Sequence, residues 1–380
     1  MISSEAVKPA VNLHVPFVDL KLQYRNHRAD IDKAIQSVVD SAAFLEGPEV
    51  KEFESSFASY CGTRESVALD SGTAALHLAL AALGIQPGDE VIVPTNTFIA
   101  TAAAVAVTGA RPVLVDADPK TWLMDLNQVE AKIGPKTRGI MAVHLYGNPV
   151  DMEVLLQIAQ RGNILVIEDA CQAHGAIIPG GKRAGAVGAA GCFSFYPAKN
   201  LGAFGDGGLA TTNDPVLADR MRRLRNHGRL DKYEHSEPAF NYRMDTVQAA
   251  VLKVKLQYLD SWNRRRRELA ASYRRTLSPL PLQIPEIITG AEAVHHLFPV
   301  CVQRRDAMSE FIKQRGVDTG IHYPIPLHLQ PAFRSLGHKS GDFPVSEKIA
   351  AETLSLPIFP EMTSEQLNHV CSSIGEFFRS

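Results

Sequence analysis

The sequence predicts an α/β protein, with a large domain built on a mostly parallel sheet and a smaller C-terminal α+β domain. Three observations support this fold class. From about Ser66, short β-branched runs alternate with longer helical patterns, which is typical of a parallel sheet covered by helices. Most of these runs are apolar throughout, as expected of strands buried on both faces. After about Leu277 the chain becomes rich in proline, and a new mixture of strands and helices begins.

The elements follow in order along the chain. The predicted strands are Glu90 to Pro94, Pro112 to Asp116, Gly139 to His144, Ile164 to Glu168, Gly191 to Tyr196 and Gly208 to Thr212. The predicted helices between them include Thr73 to Leu83, Val150 to Arg161 and Pro215 to Asn226. A long helical stretch from Thr246 to about Leu277 contains the predicted domain boundary, so the large domain takes residues 1–258 and the small one takes 259–380.

The charge balance excludes some classes of partner. The chain has 380 residues, 45% of them hydrophobic, with 39 basic against 41 acidic residues and a net charge of −2. Such a chain has neither the basic surface typical of nucleic-acid binding nor attraction to an anionic membrane. The one dense basic cluster, Arg264 to Arg267, is predicted to be a solvated helix face.

Several features predict a soluble cytoplasmic protein. The stretch Met1 to Val15 lacks the apolar segment of a signal peptide, and no apolar run approaches the roughly 20 residues that span a bilayer. The five cysteines are widely spaced and form no Cys-x-x-Cys pair. This pattern favours a reducing compartment and indicates no zinc site or other metal site.

The segment Asp70 to Leu76 is a candidate phosphate site. It follows a short apolar run and opens a helix, so the free N–H groups at Gly72 and Thr73 lie at the positive end of the helix dipole. A Ser-Gly-Thr start is also a common structural cap, and the segment alone does not decide between these alternatives.

Two further motifs specify a cofactor. Asp169 ends an apolar strand, where ligands of open α/β sheets bind, and a carboxylate there can keep the pyridine nitrogen of pyridoxal 5′-phosphate (PLP) protonated. Lys199 lies between a buried strand and a glycine-dense turn, and lysine forms imines with aldehydes once its pKa is lowered. Alone, each has a simpler interpretation, as a solvated strand end and a surface lysine. Together with the phosphate site, they predict a PLP enzyme with a Schiff base at Lys199.

The order of several motifs then carries a family resemblance. These motifs are Pro16 to Leu20, Gly47 to Val50, Ser71 to Ala75, Pro94 to Thr101, Glu168 to Gly175, Ser194 to Lys199, Asn241 to Asp245 and His322 to Pro331. With them the chain resembles the DegT/StrS sugar aminotransferases, a branch of the fold-type I PLP-dependent transferases, over nearly its whole length.

The resemblance assigns a role to individual residues of this chain. It implies that Lys199 is the Schiff-base lysine and the proton carrier, and that Asp169 is the partner of the pyridine nitrogen. The other cofactor-binding residues that it implies are Gly72, Thr73 and Ser194 at the phosphate, Phe98 on the ring, Gln172 at the phenolic oxygen, and Asn241, which reaches the phosphate across a homodimer interface. Tyr196, His322 and Tyr323 would line the sugar site.

The implied reaction moves an amino group from glutamate to a nucleotide-linked keto sugar. The segment at His322 and Tyr323 favours C-3 of a dTDP-3-keto-6-deoxyhexose, with amination at C-4 or a UDP-linked substrate as alternatives. Related 3-dehydratases carry histidine in place of the lysine, so Lys199 argues against dehydration. A catalytically idle PLP-binding regulator is the alternative from another class. The polar region Arg229 to Phe240 is either a mobile surface loop or an arm that reaches toward a partner subunit.

Overall fold

The computed structural model describes residues 13–380. Residues 1–12 lie outside the described residues, and so does most of the stretch Met1 to Val15, which is predicted not to be a signal peptide. The strands are β1 (Glu65–Leu69), β2 (Glu90–Pro94), β3 (Arg111–Val115), β4 (Thr137–Val143), β5 (Leu165–Asp169), β6 (Ala190–Ser194), β7 (Gly208–Thr212), β8 (Phe298–Cys301) and β9 (Thr353–Leu356). The helices are α1 (Leu20–Asn26), α2 (Arg28–Ser41), α3 (Pro48–Cys61), α4 (Gly72–Ala82), α5 (Ile99–Val107), α6 (Leu126–Lys132), α7 (Met152–Arg161), α8 (Pro215–Leu224), α9 (Thr246–Leu256), α10 (Leu259–Leu277), α11 (Arg305–Lys313), α12 (Pro344–Glu352) and α13 (Ser364–Arg379).

The central sheet has seven strands in the order β1-β7-β6-β5-β4-β2-β3. Strand β7 runs antiparallel to both of its neighbours, β1 and β6, while the pairs from β6 to β3 are parallel. The predicted α/β class with a mostly parallel sheet is therefore confirmed. All six predicted strands are present, with ends that differ by at most two residues.

Helices cover both faces of this sheet. On one face α4, α5 and α8 pack around a core that includes Leu78, Val93 and Met141. On the other face α3, α7 and α9 surround a core that includes Phe53, Phe57 and Phe193. The strands between them are apolar on both faces because both faces are buried.

The C-terminal part has its own two-stranded sheet and its own core. Strands β8 and β9 pair antiparallel, and α10, α11 and α13 pack with them around Tyr273, Phe298 and Leu356. Val15, from the start of the described chain, belongs to this core as well. The division into 1–258 and 259–380 stays a prediction.

The long helical stretch is two helices rather than one. Helix α9 ends at Leu256 and α10 begins at Leu259, with Gln257 and Tyr258 in tight turns closed by bonds to the carbonyl groups of Val254 and Lys255. The expectation of a continuous helix from Thr246 was therefore wrong at this point. The break falls at the predicted domain boundary. Among residues 13–380, no helix combines the length and the apolar character needed to cross a membrane.

Candidate active site

A cavity of about 510 Å³ opens at the carboxyl ends of β4, β5 and β6. Because these strands are parallel neighbours, their ends meet at one edge of the sheet, where ligands of α/β proteins bind. Ten of the eleven residues predicted for the site line the cavity: Gly72, Thr73, Phe98, Asp169, Gln172, Ser194, Tyr196, Lys199, His322 and Tyr323. The eleventh, Asn241, is exposed and is not among the lining residues.

The amino end of α4 fits a phosphate group. Ser71 caps the helix through its side chain, which accepts from the N–H of Ala74 at 3.1 Å. The N–H groups of Gly72 and Thr73 belong to the first turn, have no partner within the helix, and face the cavity together with Ser194. A β-carbon at Gly72 would lie 2.5 Å from the Cβ atom of Ser194, so a glycine is needed here for β6 to approach the helix.

Asp169 lies on the wall of the cavity, at the end of β5. It is 6% exposed. Its Oδ2 atom accepts from the hydroxyl group of Thr101 at 2.7 Å, and its Oδ1 atom accepts from the N–H of Cys171 at 3.2 Å. These two bonds hold the carboxylate in a fixed orientation at the position where the sequence predicts a partner for a ring nitrogen.

The preceding carboxylate, Glu168, points away from the cavity, because successive side chains of a strand lie on opposite faces. It is fully buried and accepts from the N–H groups of Gly185, Val187 and Gly188, and from His144 at 3.0 Å. Burial alone would raise the pKa of Glu168, but His144 and the N–H donors lower it below its usual range. Glu168 is therefore a structural anchor. Because Glu168 and Asp169 are both buried, the alternative interpretation of this segment as a solvated strand end was wrong.

Lys199 brings its amino group into the cavity from the loop after β6. No hydrogen-bond acceptor lies within reach of this group in the part of the chain that the structure describes. Burial lowers the pKa of Lys199, and the nearby Cys171 and Asp169 oppose that shift only in part. A larger fraction of the amine is therefore unprotonated near neutral pH, which is the form that attacks an aldehyde.

The loop that carries Lys199 is held from both sides. The N–H of Lys199 donates to the carbonyl of Tyr196 at 2.8 Å. The amide of the next residue, Asn200, is buried and donates to Asn263 at 2.9 Å and to the carbonyl of Val294 at 3.0 Å. This anchoring, with Lys199 among the residues that line the cavity, does not agree with the alternative interpretation of Lys199 as a surface lysine with its charge in water.

The amide of Gln172 has a defined orientation. Its Oε1 atom accepts from the N–H of Tyr146 at 2.6 Å, so its nitrogen must be the group that donates to the hydroxyl group of Tyr323 at 3.0 Å. The ring of Tyr323 in turn lies 5.5 Å from that of Phe98. This arrangement gives Gln172 a donor directed at the cavity, as an acceptor oxygen on a cofactor requires.

His322 and Tyr196 also line the cavity. The His322 ring stacks on Phe17 with the ring centres 5.7 Å apart, and its Nδ1 atom lies 3.0 Å from the hydroxyl oxygen of Ser355. Burial, aided by the charge of Lys199, lowers the pKa of His322 to about 4. The ring is therefore neutral at physiological pH. Tyr196 is 57% exposed, which leaves it accessible to a large substrate.

The structure corrects the prediction that the Arg264 to Arg267 cluster is a solvated helix face. Within the Arg264 to Arg267 cluster, Arg266 is buried, lines the cavity, and donates to the carbonyl groups of Ile358, His295 and His296. It therefore joins α10 to the C-terminal part of the chain beneath the site. The spacing could have shown this, because Arg266 follows Trp262 by one helical turn on the buried face.

Two other residues near the site were missed by the sequence analysis. Thr101, which donates to Asp169, lies three residues after Phe98 and thus on the same side of α5, and this spacing is the signal that indicates it. His296 lines the cavity, and burial lowers its pKa far below the usual range, with the charge of Lys199 as the second cause. Nothing in the local sequence distinguishes His296 from its neighbour His295.

The fold and the cavity define the class of protein: a PLP-dependent transferase with a mostly parallel seven-stranded sheet. The comparisons with known proteins narrow this class. The chain belongs to the DegT/DnrJ/EryC1/StrS aminotransferase family, whose sequence profile matches residues 25–375. The family resemblance and the PLP cofactor predicted from the sequence are both confirmed.

Individual relatives are similar over the full chain. A dTDP-3-amino-3,4,6-trideoxy-alpha-D-glucose transaminase of Streptomyces venezuelae is 46% identical over 99% of this chain and 98% of its own length. A UDP-N-acetyl-3-dehydro-alpha-D-glucosamine 3-aminotransferase of Acidithiobacillus ferrooxidans is 43% identical over 96% of this chain and 98% of its own. The crystal structure of DesV from S. venezuelae, solved with a ketimine intermediate, covers 97% of this chain and 99% of its own with a TM-score of 0.95 and 46% identity.

Proposed function

We propose that this enzyme transfers the amino group of glutamate to a nucleotide-linked keto sugar, at C-3 of a dTDP-3-keto-6-deoxyhexose. The observation that carries the proposal is the Lys199 amine, unpartnered among the described residues and placed in one cavity with Asp169 and the phosphate site. The name of the S. venezuelae relative supports the dTDP-linked substrate and amination at C-3. The UDP-linked relative has nearly the same identity to this chain, so a substrate panel must include both nucleotides.

The residues of the cavity divide into holding and reacting groups. Gly72, Thr73 and Ser194 would hold the phosphate group of PLP. Asp169 would keep the ring nitrogen protonated, and in that state PLP serves as an electron sink when it is bound.

The remaining groups would act on the ring, the proton and the sugar. Phe98 would stack on the ring, and Gln172 would donate to the phenolic oxygen. The Nζ atom of Lys199 would bind the cofactor and carry the proton that is moved during each half of the transfer. Its lowered pKa suits both tasks, because the amine can release and regain a proton near neutral pH. Tyr196, His322 and Tyr323 would bind the sugar.

A homodimer with shared sites is part of the proposal. Asn241 lies outside the cavity of its own chain, on the exposed surface, where it is available to a second copy. Large apolar side chains are also exposed, among them Phe44 and Leu45 before α3 and Phe204 in the loop after Lys199, at 51%, 50% and 43%. Burying such side chains favours association. The loop from Arg229 to Phe240, with Tyr233 81% exposed, would be the arm toward the partner.

We also place the enzyme in the cytoplasm, without a nucleic-acid or membrane partner. The near balance of 39 basic and 41 acidic residues supports this placement. The scattered free cysteines fit a reducing compartment.

The first experiment tests Lys199. The protein incubated with PLP is expected to show the absorbance band of a protonated imine, and Lys199→Ala is expected to lack it. Lys313→Ala, which changes an exposed lysine on α11, is the matched control and should keep the band. A colourless wild-type protein at saturating PLP would contradict the proposal.

The second experiment identifies the substrate. Glutamate should convert the cofactor to its amine form, and a panel of dTDP- and UDP-linked 3-keto and 4-keto sugars should then restore the original spectrum. Restoration by dTDP-3-keto-6-deoxyhexoses supports the proposal. Preference for a UDP-linked or 4-keto sugar would replace the substrate, and no transfer to any sugar at full PLP occupancy would favour the idle regulator.

A third experiment tests the shared site. Lys199→Ala and Asn241→Ala are each expected to have little activity alone. If Asn241 serves the partner's cavity, mixed dimers regain intact sites, and about one quarter of all sites are restored in an equal mixture. No gain on mixing would contradict a shared site.

A further inference from the structure

Ser355 on β9 is fully buried and is not among the lining residues of the cavity. Its backbone N–H and carbonyl groups are both paired with Gly320, at 2.8 and 3.2 Å. This leaves its hydroxyl group as the polar group that still needs a partner. Within residues 13–380, the hydrogen-bond partner of this hydroxyl is the Nδ1 atom of His322, at 3.0 Å.

The direction of this hydrogen bond follows from burial. A buried hydroxyl proton without an acceptor costs about 1 to 3 kcal/mol, so Ser355 must donate its proton to Nδ1. An imidazole that accepts at Nδ1 and is neutral carries its proton on Nε2. The opposite arrangement, with a proton on Nδ1, would leave the Ser355 proton without an acceptor.

The position of the His322 ring is restricted as strongly as its protonation. Phe17 stacks on one face with an angle of 16° between the rings. The edge of the ring lies against Gly320, where an added β-carbon would be 2.7 Å from its Cε1 atom and 3.3 Å from the Cζ atom of Phe17. These contacts restrict the ring, and because Nδ1 faces Ser355, Nε2 points away from it.

We propose that Ser355 is a positioning residue that fixes the Nε2-protonated tautomer of His322 and makes this ring a hydrogen-bond donor to an oxygen of the sugar. The lowered pKa of His322 agrees with this role, because a neutral ring has a defined donor and a defined acceptor. The role toward the sugar rests on the proposed function, whereas the tautomer does not.

The tautomer can be measured directly in the wild-type enzyme by ¹⁵N NMR of histidine-labelled protein, with the His322 signal assigned by its loss in His322→Gln. The expected spectrum is that of an Nε2-protonated ring. A ring protonated on Nδ1 would overturn the proposal, even if no Ser355 variant can be purified.

Ser355→Ala is expected to give a mixture of tautomers and to raise KM for the keto sugar about tenfold, the loss of roughly one hydrogen bond. The half-reaction with glutamate should change less than about twofold by the same reasoning, because it does not need the sugar. Ser373→Ala is the matched control, since Ser373 is a buried serine that donates to a backbone carbonyl of α13.

A double-mutant cycle separates positioning from general damage. Glutamine places an amide nitrogen near the position of Nε2 and does not depend on Ser355. In the His322→Gln background, Ser355→Ala should therefore have little further effect on KM. An equal loss in both backgrounds would show that Ser355 acts only on stability. If the wild type aminates no sugar, the proposed function fails while the tautomer result still stands.

Discussion

Replacing Glu168 with glutamine should destabilise the fold, although the change is nearly isosteric. One carboxylate oxygen accepts from the N–H groups of Val187 and Gly188, and the other accepts from Gly185 and His144. In either orientation of the glutamine, its NH₂ group faces two hydrogen-bond donors. Glu168→Gln therefore loses two charge-assisted bonds in a fully buried site.

His144 cannot compensate by moving its proton. Its Nδ1 atom accepts from the N–H of Val150 at 3.0 Å, which keeps the proton on the Nε2 atom that faces Glu168. Each bond to a charged group contributes about 1.5 to 3 kcal/mol, so the expected loss in the free energy of unfolding is about 3 kcal/mol or more. We use the lower end of the range for each bond, because Glu168→Gln also removes a buried charge and with it the cost of desolvating that charge.

Asp169, the residue after Glu168, provides the matched comparison. In Asp169→Asn the amide can still accept from the N–H of Cys171, and Thr101 can redirect its hydroxyl proton to Thr97, 3.0 Å away. The stability of the cofactor-free protein should therefore change by less than about 1 kcal/mol. Activity should fall at least a hundredfold, because the amide cannot supply the charge that holds a proton on the ring nitrogen.

The assay is urea unfolding of the cofactor-free proteins, monitored by tryptophan fluorescence, together with spectral titration by PLP. The cofactor is omitted because its binding would stabilise each variant to a different degree. Equal unfolding midpoints for Glu168→Gln and the wild type would refute the reasoning. So would an Asp169→Asn protein that is destabilised as strongly as Glu168→Gln.

Two further predictions concern the phosphate site and acid stability. Gly72→Ala should weaken PLP binding about tenfold, because the new methyl group would lie 2.5 Å from the Ser194 Cβ atom and force α4 away from β6. The affinity for PLP is measured by fluorescence titration, and Gly134→Ala, at an open position, is the control. Burial, with the charge of Lys199 as a second cause, lowers the pKa of His174 to about 3. Between about pH 6.5 and 3, the unfolded chain binds a proton that the folded protein does not, so stability is complete above this window and falls with pH through it. The free energy of unfolding of the wild type falls between pH 7 and 5, and His174→Leu should make this fall smaller by about 2 kcal/mol. If urea unfolding shows the same fall in both proteins, His174 is not the group responsible.

The sequence was sufficient for most of the sheet and for most of the cavity residues, for a physical reason. Strands buried on both faces need continuous apolar runs, and these runs revealed six of the seven strands but not β1. The lysine, the carboxylate and the helix start are groups that PLP chemistry uses, and their order along the chain resembles that of the family. The pattern therefore located β5 and β6 to within two residues, and it placed Asp169 and Lys199 in one cavity.

The residues that the sequence could not reveal act through tertiary contacts. The helical spacing of Arg266 from Trp262 indicates a buried face, but the carbonyl groups that it binds, those of Ile358, His295 and His296, are known only from the fold. The contact of Ser355 with His322 joins residues 33 positions apart. Asn241 was recognised by resemblance, but its place outside the cavity is a property of the folded chain.

The order of the strands also bears on how the site is completed during synthesis. Among the strands of the central sheet, β1 pairs with β7, so β1 cannot join the sheet until residue 212 has been made. Long-range pairings of this kind form late and slowly. The predicted phosphate site at Gly72 lies between α4 and β6, and His322 comes later still. A nascent chain therefore cannot hold the cofactor fully until most of it has left the ribosome, and cofactor binding reports the completion of folding.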